Sequence, residues 1–470
     1  MTNTNNSIKD ETYRDSIATI NKDGKRNWIY AQQPKGKLYN LRSLVSIVYL
    51  IVFFALPFIK VNNVPVFLFN VLERKFIFFG VTFWPQDFFI FGIGMLSFII
   101  FIVLFTVVYG RFFCGWACPQ TIFMEMVFRK IEYWIEGDAA HQKLLNKSKY
   151  DADKIIKKTS KHVVFFLISF IIANTFLAYV IGADALFIII NDPFESHIGG
   201  LITLLIFTGI FYAVYAWFRE QVCLIVCPYG RLQGVMTDKN SILVAYDYIR
   251  GEPREKYKKE NNSTSGDCID CYQCVKVCPT GIDIRNGTQL ECTNCTACID
   301  VCDHMMLKTG KPIGLIRYAS ENGIVNRERL KVTPRIMAYS GVLILLIGFL
   351  ALLLITRQDI DATVLRTPGM LFQKQENDTI SNLYNIKIIN KTYDEHPITL
   401  KLNKSNGRIK MIGKNIVLSK AAKLESGFFI YLPKNEITGR KTKLLVDVFS
   451  GDEKIESIKT TFLGPITIKK

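Results

Sequence analysis

The sequence predicts a multi-domain membrane protein: a bundle of five transmembrane α-helices, a cysteine-rich domain inserted before the last of them, and a C-terminal β-sandwich. Three observations carry this. Five apolar runs are each about as long as the 17 to 25 residues needed to cross roughly 30 Å of hydrocarbon. All 12 cysteines fall into four short clusters, which points to metal ligation rather than a disulfide framework. Beyond Thr356, apolar residues recur with period two, as in half-buried strands.

The runs are Ser43 to Ile59, Phe88 to Tyr109, Val163 to Gly182, Ile198 to Phe218 and Ile336 to Thr356. The first is short and carries Pro57, so a re-entrant segment is its alternative, although proline is tolerated in membrane helices. Residues 1–42 are polar and lysine-rich without an apolar stretch of their own, and the first span is expected to double as a signal anchor. Loop charge sets the orientation, because Lys and Arg collect on the cytoplasmic side. Residues 1–42, the loop 110–162 and the segment 219–335 are basic, whereas Asn191 to His197 holds no Lys or Arg and the connection after Ile59 is mostly aromatic and aliphatic. The expectation is a multi-pass protein of a bacterial inner membrane with the N-terminus and the cysteine-rich domain cytoplasmic and residues 357–470 periplasmic. Spans 1 to 4 then occupy residues 43–218 and the fifth 336–356. The net charge of +17 is explained by these loops, so no nucleic-acid partner is expected.

In the C-terminal region, Leu383 to Ile389, Ile398 to Leu402, Ile409 to Ile412, Phe428 to Leu432 and Leu444 to Phe449 read as strands separated by turn-rich pieces such as Lys404 to Gly407. That is the pattern of a sandwich of roughly 100 residues. It has no cysteine and one histidine, His396, read as an ordinary loop residue.

The segment 219–335 carries Cys268, Cys271, Cys274 and Cys278 before Pro279, then Cys292, Cys295, Cys298 and Cys302 before Asp303. The first set is the C-x-x-C-x-x-C-x-x-x-C-P run of bacterial ferredoxins, and the second repeats its spacing. In two-cluster ferredoxins the fourth cysteine of each run ligates the other cluster. The expected sets are therefore Cys268, Cys271, Cys274 and Cys302 for one [4Fe-4S] cluster, and Cys292, Cys295, Cys298 and Cys278 for the second. Structural zinc is the alternative, but its ribbons separate two C-x-x-C pairs by a longer insert. The chain has no C-x-x-C-H for covalent haem and no phosphate-binding loop.

Two further pairs, Cys114 with Cys118 and Cys223 with Cys227, each read C-x-x-x-C-P just past the second and fourth spans. On a helix, residues four apart share a face, so each pair would present two thiolates together, and the following proline would turn the chain away. Soft thiolates select Cu(I), zinc or an iron–sulfur centre, which makes the four a candidate copper or redox site. Inert buried cysteine is the plain alternative. Met124, Met126, His304, Met305 and Met306 lie nearby in sequence and are read chiefly as packing.

Four stretches resemble the cytochrome c oxidase accessory proteins of the FixG, RdxA and CcoG type: GRFFCGWACPQT running into IEYWIEGD; REQVCLIVCPYGRLQGVM continuing to YDYIRGEPR; GDCIDCYQCVKVCPTGIDIRNG; and QLECTNCTACIDVCD leading to GLIRY. DSIATINKDGKRNWIY and NLYNIKIINKT resemble the same family, so the likeness covers nearly the whole chain. Thr293 and Asn294 depart mildly from it, at positions that are not ligands. The resemblance implies a five-span membrane polyferredoxin with a cytoplasmic ferredoxin-like two-cluster domain and a periplasmic immunoglobulin-like domain. It implies a role in assembling high-affinity haem–copper oxidase, by reducing Cu(II) to Cu(I), with a copper chaperone or transporter and oxidase assembly proteins as partners. The cytoplasmic electron donor is not identified by it. Two other functions fit the same residues: a quinol-oxidising subunit of a nitrate or nitrous-oxide system, and an iron–sulfur redox sensor or scaffold.

Overall fold

The computed structural model describes residues 18–20, 23–61, 63–257, 265–327, 332–375, 378–403, 405–413, 416–420 and 422–465. Most of the N-terminal segment expected before Lys37, and Lys404 of one expected turn, lie outside them. Contacts divide the chain into two units, Met1–Phe58 with Gly92–Gly348 and Ile59–Phe91 with Phe349–Lys470.

Five helices are long and apolar enough to cross a membrane: Lys37–Phe58, Phe88–Tyr109, Ala152–Ile181, Ile198–Phe218 and Pro334–Ile355. The chain is a multi-pass membrane protein. The first helix starts ahead of its apolar run, and Pro57 falls in its closing 3-10 turn, where the Phe53 carbonyl four residues back accepts instead from the Tyr179 hydroxyl at 2.8 Å. The third extends through a polar first stretch because Asp151 caps it, its side chain accepting from the Ala152 N–H. The fourth ends in a π-turn, Val214–Phe218, and Arg219 follows with φ 53°, a left-handed kink that starts the second cysteine pair.

In the first unit a two-stranded ribbon, Leu243–Tyr246 against Ile316–Ala319, flanks the cysteine-rich domain. Its core buries Val244, Ile269, Ile284, Ile299, Met306 and Ile316 around the helix Ala297–Lys308. Met124 packs among Phe123, Phe128 and Tyr215 in a separate aromatic core.

The second unit is a sandwich of a five-stranded and a four-stranded sheet. Its long strands are Ile360–Arg366, Thr379–Asn390, Lys423–Pro433, Lys441–Ser450 and Glu453–Leu463. The expected strands are present, but the first and last of these five were not expected. His396 is corrected: it opens the strand His396–Leu402, its ring hydrogen-bonded to Ser450 at 2.9 Å and Thr392 at 3.1 Å. The connection after Ile59, expected only as an apolar loop, folds into Phe67–Asn70, Lys75–Phe78 and Val81–Phe83 in one sheet. This sheet leads to Asp87, a buried carboxylate clamped by Arg357 Nη2 and Lys391 Nζ, both at 2.7 Å.

Burial opposes ionisation of Asp87, but the hydrogen bonds from Lys391 and Arg357 outweigh it and hold the carboxyl below its ordinary value. A depressed carboxylate stabilises the fold fully above its unfolded pKa, about 3.9, and loses that contribution as pH falls through the folded value. Asp87→Asn, which strands the buried Arg357 and leaves Lys391 only Asp361 at 3.6 Å, is therefore expected to cost about 3 kcal/mol at neutral pH and to flatten the acid limb. Thermal unfolding against pH measures both.

Candidate metal and electron-transfer site

The two cysteine runs fold into the same backbone. In the first, Asp270 and Tyr272 have φ of 50° and 57°; in the second, Asn294 and Thr296 have φ of 53° and 67°. These are the second and fourth residues after the first cysteine of each run. Paired left-handed residues curl a loop so that successive N–H groups face inward, a concave nest suited to an anionic group. Asp and Asn accept that conformation with little strain; Tyr272 and Thr296 accept it with more, as the residues that begin the short helices carrying Cys274 and Cys298.

Cys268, Cys271, Cys274 and Cys302 line one cavity, and Cys278, Cys292, Cys295 and Cys298 line another, whose wall also includes Cys274. Met305 and Met306 wall the first, while His304 points to the exposed side of its helix. Burial pushes the thiols of Cys274, Cys292 and Cys302 up to about 12, and the neighbouring sulfurs push the same way. Four crowded thiols of this kind become thiolates only with a cationic centre among them. The all-cysteine donor sets, repeated at ferredoxin spacing, fit an all-sulfur polynuclear group better than one tetrahedral zinc.

The C-x-x-x-C-P pairs do not lie on one helical face as expected. Cys114 sits in the short helix Phe112–Trp116, Cys118 has extended backbone (φ −66°, ψ 125°), and Pro119 opens the next helix. Cys223 lies in the π-turn Val222–Val226, and Cys227 is again extended (φ −71°, ψ 111°) before Pro228. The proline explains both: it drives the residue before it out of the helical region and then suits the first helical position. The result brings all four together, for Cys223 lies within electrostatic reach of Cys118, Cys114 and Cys227. Burial raises Cys114 to about 11 and Cys223 to about 12. The fully buried Gln233 amide donates to Cys114 Sγ at 3.4 Å.

This group abuts the second cavity. A Cβ on Gly115 would stand 2.5 Å from the Asn294 carbonyl oxygen and 2.7 Å from that of Thr293, so only glycine permits the approach. Arg42 Nε donates to the Gly115 carbonyl at 2.6 Å and its Nη1 to that of Cys295 at 3.5 Å. Arg111 donates to the carbonyls of Gly230, Leu290 and Cys292. Trp116 Nε1 donates to the Tyr318 hydroxyl at 3.0 Å, which donates to the Asn294 carbonyl at 3.3 Å. Sequence reading passed over Arg42, Arg111 and Gln233, and treated Asn294 only as a harmless departure; none carries a spacing signal.

A buried ion network anchors the second pair to the first. Arg219 grips Glu132 with two nitrogens at 3.3 and 3.0 Å, Lys161 reaches Glu136 at 2.8 Å, and Arg129 lies 3.5 Å from both Glu125 and Glu220.

Comparison with known proteins places this arrangement. Residues 218–321 match a family model described as a 4Fe-4S dicluster domain, 91–138 a 4Fe-4S binding domain, and 350–465 the IG-like fold at the C-terminal of FixG. Protein RdxB of Cereibacter sphaeroides is 35% identical over 388 residues, covering 78% of this chain and 80% of that protein. Nitrogen fixation protein FixG of Rhizobium meliloti is 31% identical over 423 residues, 80% of this chain and 79% of that one. Protein RdxA of C. sphaeroides is 31% identical over 404 residues, covering 81% and 83%. The chain belongs to the FixG/RdxA family of membrane polyferredoxins. Like the family it is a membrane iron–sulfur electron-transfer protein with 4Fe-4S-binding domains and a C-terminal immunoglobulin-like domain.

Gly115→Ala is expected to force Asn294 and Thr293 apart from it, costing about 1–3 kcal/mol by overpacking. Gly92→Ala, with nothing within 4 Å of the added carbon, is the matched control and should cost nothing. Thermal unfolding of the two solubilised variants decides this.

Proposed function

We propose that this protein takes electrons from a cytoplasmic donor and carries them through two [4Fe-4S] clusters to the membrane-edge thiolates, where Cu(II) as substrate is reduced to Cu(I) for haem–copper oxidase assembly. The first cluster would be held by Cys268, Cys271, Cys274 and Cys302, the second by Cys278, Cys292, Cys295 and Cys298. When bound, such clusters accept and release single electrons, matching the one electron that separates Cu(II) from Cu(I). The observation that carries the reading is the Gly115 contact. It sets the peptide between Cys114 and Cys118 against the loop that bears Cys292 and Cys295, giving electrons a short covalent and hydrogen-bonded route.

The protein's own groups prepare that route. Arg111 acts on Cys114 and Cys292 alike, favouring their anionic forms from one position. Arg42 and Arg111 lock the two segments together through main-chain carbonyls, so electron transfer requires little rearrangement. Cu(I) prefers thiolate donors, so a soft-ligand carrier such as a copper chaperone or transporter is the natural recipient. The loop charges support a cytoplasmic cysteine-rich domain and a periplasmic C-terminal sandwich, the latter suited to docking oxidase assembly partners.

In anaerobically isolated protein, replacing Cys271 and Cys295 together by serine is expected to remove about eight irons per chain and to abolish Cu(II) reduction by a chemical electron donor. Retention of reduction in that variant would count against the route through the clusters. For topology, a reporter fused after Lys470 should be active only outside the cytoplasm and one inserted at Gly266 only inside; the reverse pair of results would overturn the orientation.

A further inference from the structure

We infer that Cys114, Cys118, Cys223 and Cys227 together ligate a third iron–sulfur cluster, a cubane shared between the two C-x-x-x-C-P motifs. The inference rests on reading the chain as an iron–sulfur electron carrier and does not require copper to be its substrate.

Ligand count comes first. A cubane of this type takes four thiolates. The 4Fe-4S-binding match over residues 91–138 contains Cys114 and Cys118 alone, half a set. The structure brings the other half, Cys223 and Cys227, to the same place from the end of the fourth span: the helix Pro228–Met236, which follows Cys227 directly, carries Gln233, bonded to Cys114 Sγ, and Gly230, whose carbonyl accepts from Arg111. Both second cysteines are turned out of their helices by the same Cys-Pro step, so each motif offers two sulfurs in the same way.

Charge is the second and independent observation. Arg42 is 3% exposed and Arg111 8% exposed. Among the described residues neither pairs with a carboxylate; both spend their hydrogen bonds on carbonyls, and Arg42 Nη2 is buried with no partner at all. A buried guanidinium without a counter-charge is strongly unfavourable. Two such cations flanking the cysteines require an anion between them, and thiolate-ligated iron–sulfur clusters carry net negative charge. The second cavity alone accounts for only part of the pattern, because Arg111 also binds the Gly230 carbonyl and acts on Cys114.

The hydrogen bond to sulfur is the third. Gln233 supplies the N–H to sulfur hydrogen bond that tunes the potential of such a centre. In function this third centre would take one electron at a time from the second cavity and pass it to a one-electron oxidant at the membrane face, Cu(II) in the reading above.

The test is iron content and Mössbauer spectra of the full-length protein purified anaerobically in detergent. About twelve irons per chain are expected, all in four-iron clusters. Cys114→Ser with Cys118→Ser, and Cys223→Ser with Cys227→Ser, should each drop the count to about eight, since either pair breaks the same shared site. Wild-type iron near eight, or stoichiometric zinc or copper on these four cysteines, overturns the proposal whatever the variants do. Gln233→Leu, which leaves every ligand in place, should keep about twelve irons and shift the midpoint potential of one cluster; a shift in none overturns the assignment of that hydrogen bond to a cluster sulfur. Cu(II) reduction is scored separately: twelve irons without it sinks the copper reading alone, and reduction with only eight sinks the third cluster alone.

Discussion

Two buried arginines hold the first unit's working region together. Arg42 rises from the start of the first span and Arg111 follows the second, and each ends on main-chain carbonyls of a cysteine-bearing loop. Guanidinium suits this task because its planar donors serve several carbonyls at once while its charge stays fixed. The cost of burying that charge is large, so the geometry is worth holding only where negative charge resides nearby. With the proposed clusters bound, the cavity lined by Cys278, Cys292, Cys295 and Cys298 and the group at Cys114, Cys118, Cys223 and Cys227 would be such places.

Around this seam, local chemistry is repeated. The paired left-handed residues of the two cysteine runs and the paired Cys-Pro steps of the two membrane-edge motifs are each one solution used twice. Each solution orients sulfur with backbone conformation rather than with flexible side chains. Electron transfer benefits from this rigidity, because little structure then reorganises when charge moves. The ion network of Arg129, Glu132, Glu136, Lys161 and Arg219 extends it by fixing the helix after the first motif to the ends of the third and fourth spans.

The second unit depends on a comparable device. Asp87 gathers Arg357 and Lys391, which lie together at one end of the antiparallel pair Ile360–Arg366 and Thr379–Asn390, and so joins the small Phe-rich sheet to it. Period-two alternation revealed the central strands, whose buried faces are regular, as in Thr379–Asn390. It did not reveal the Phe67–Phe83 sheet, whose strands are too short for a period to register, nor Glu453–Leu463, where charged residues mask the inward face.

The spans, the cysteine spacing and the family were all legible in the chain itself, because length, apolarity and ligand intervals are local properties written in order along it. Spacing also proposed how the eight cysteines of the inserted domain divide, since a fourth cysteine beyond a short turn cannot serve the loop that carries the first three. What the tertiary structure decided is which distant segments meet. No interval in the sequence relates Arg42 to Gly115, Gly115 to Asn294, or Cys114 to Cys223 and Gln233. Those pairings arise from close packing of helices and loops far apart in the chain, where a missing side chain on one residue and a buried charge on another fix the distance between centres.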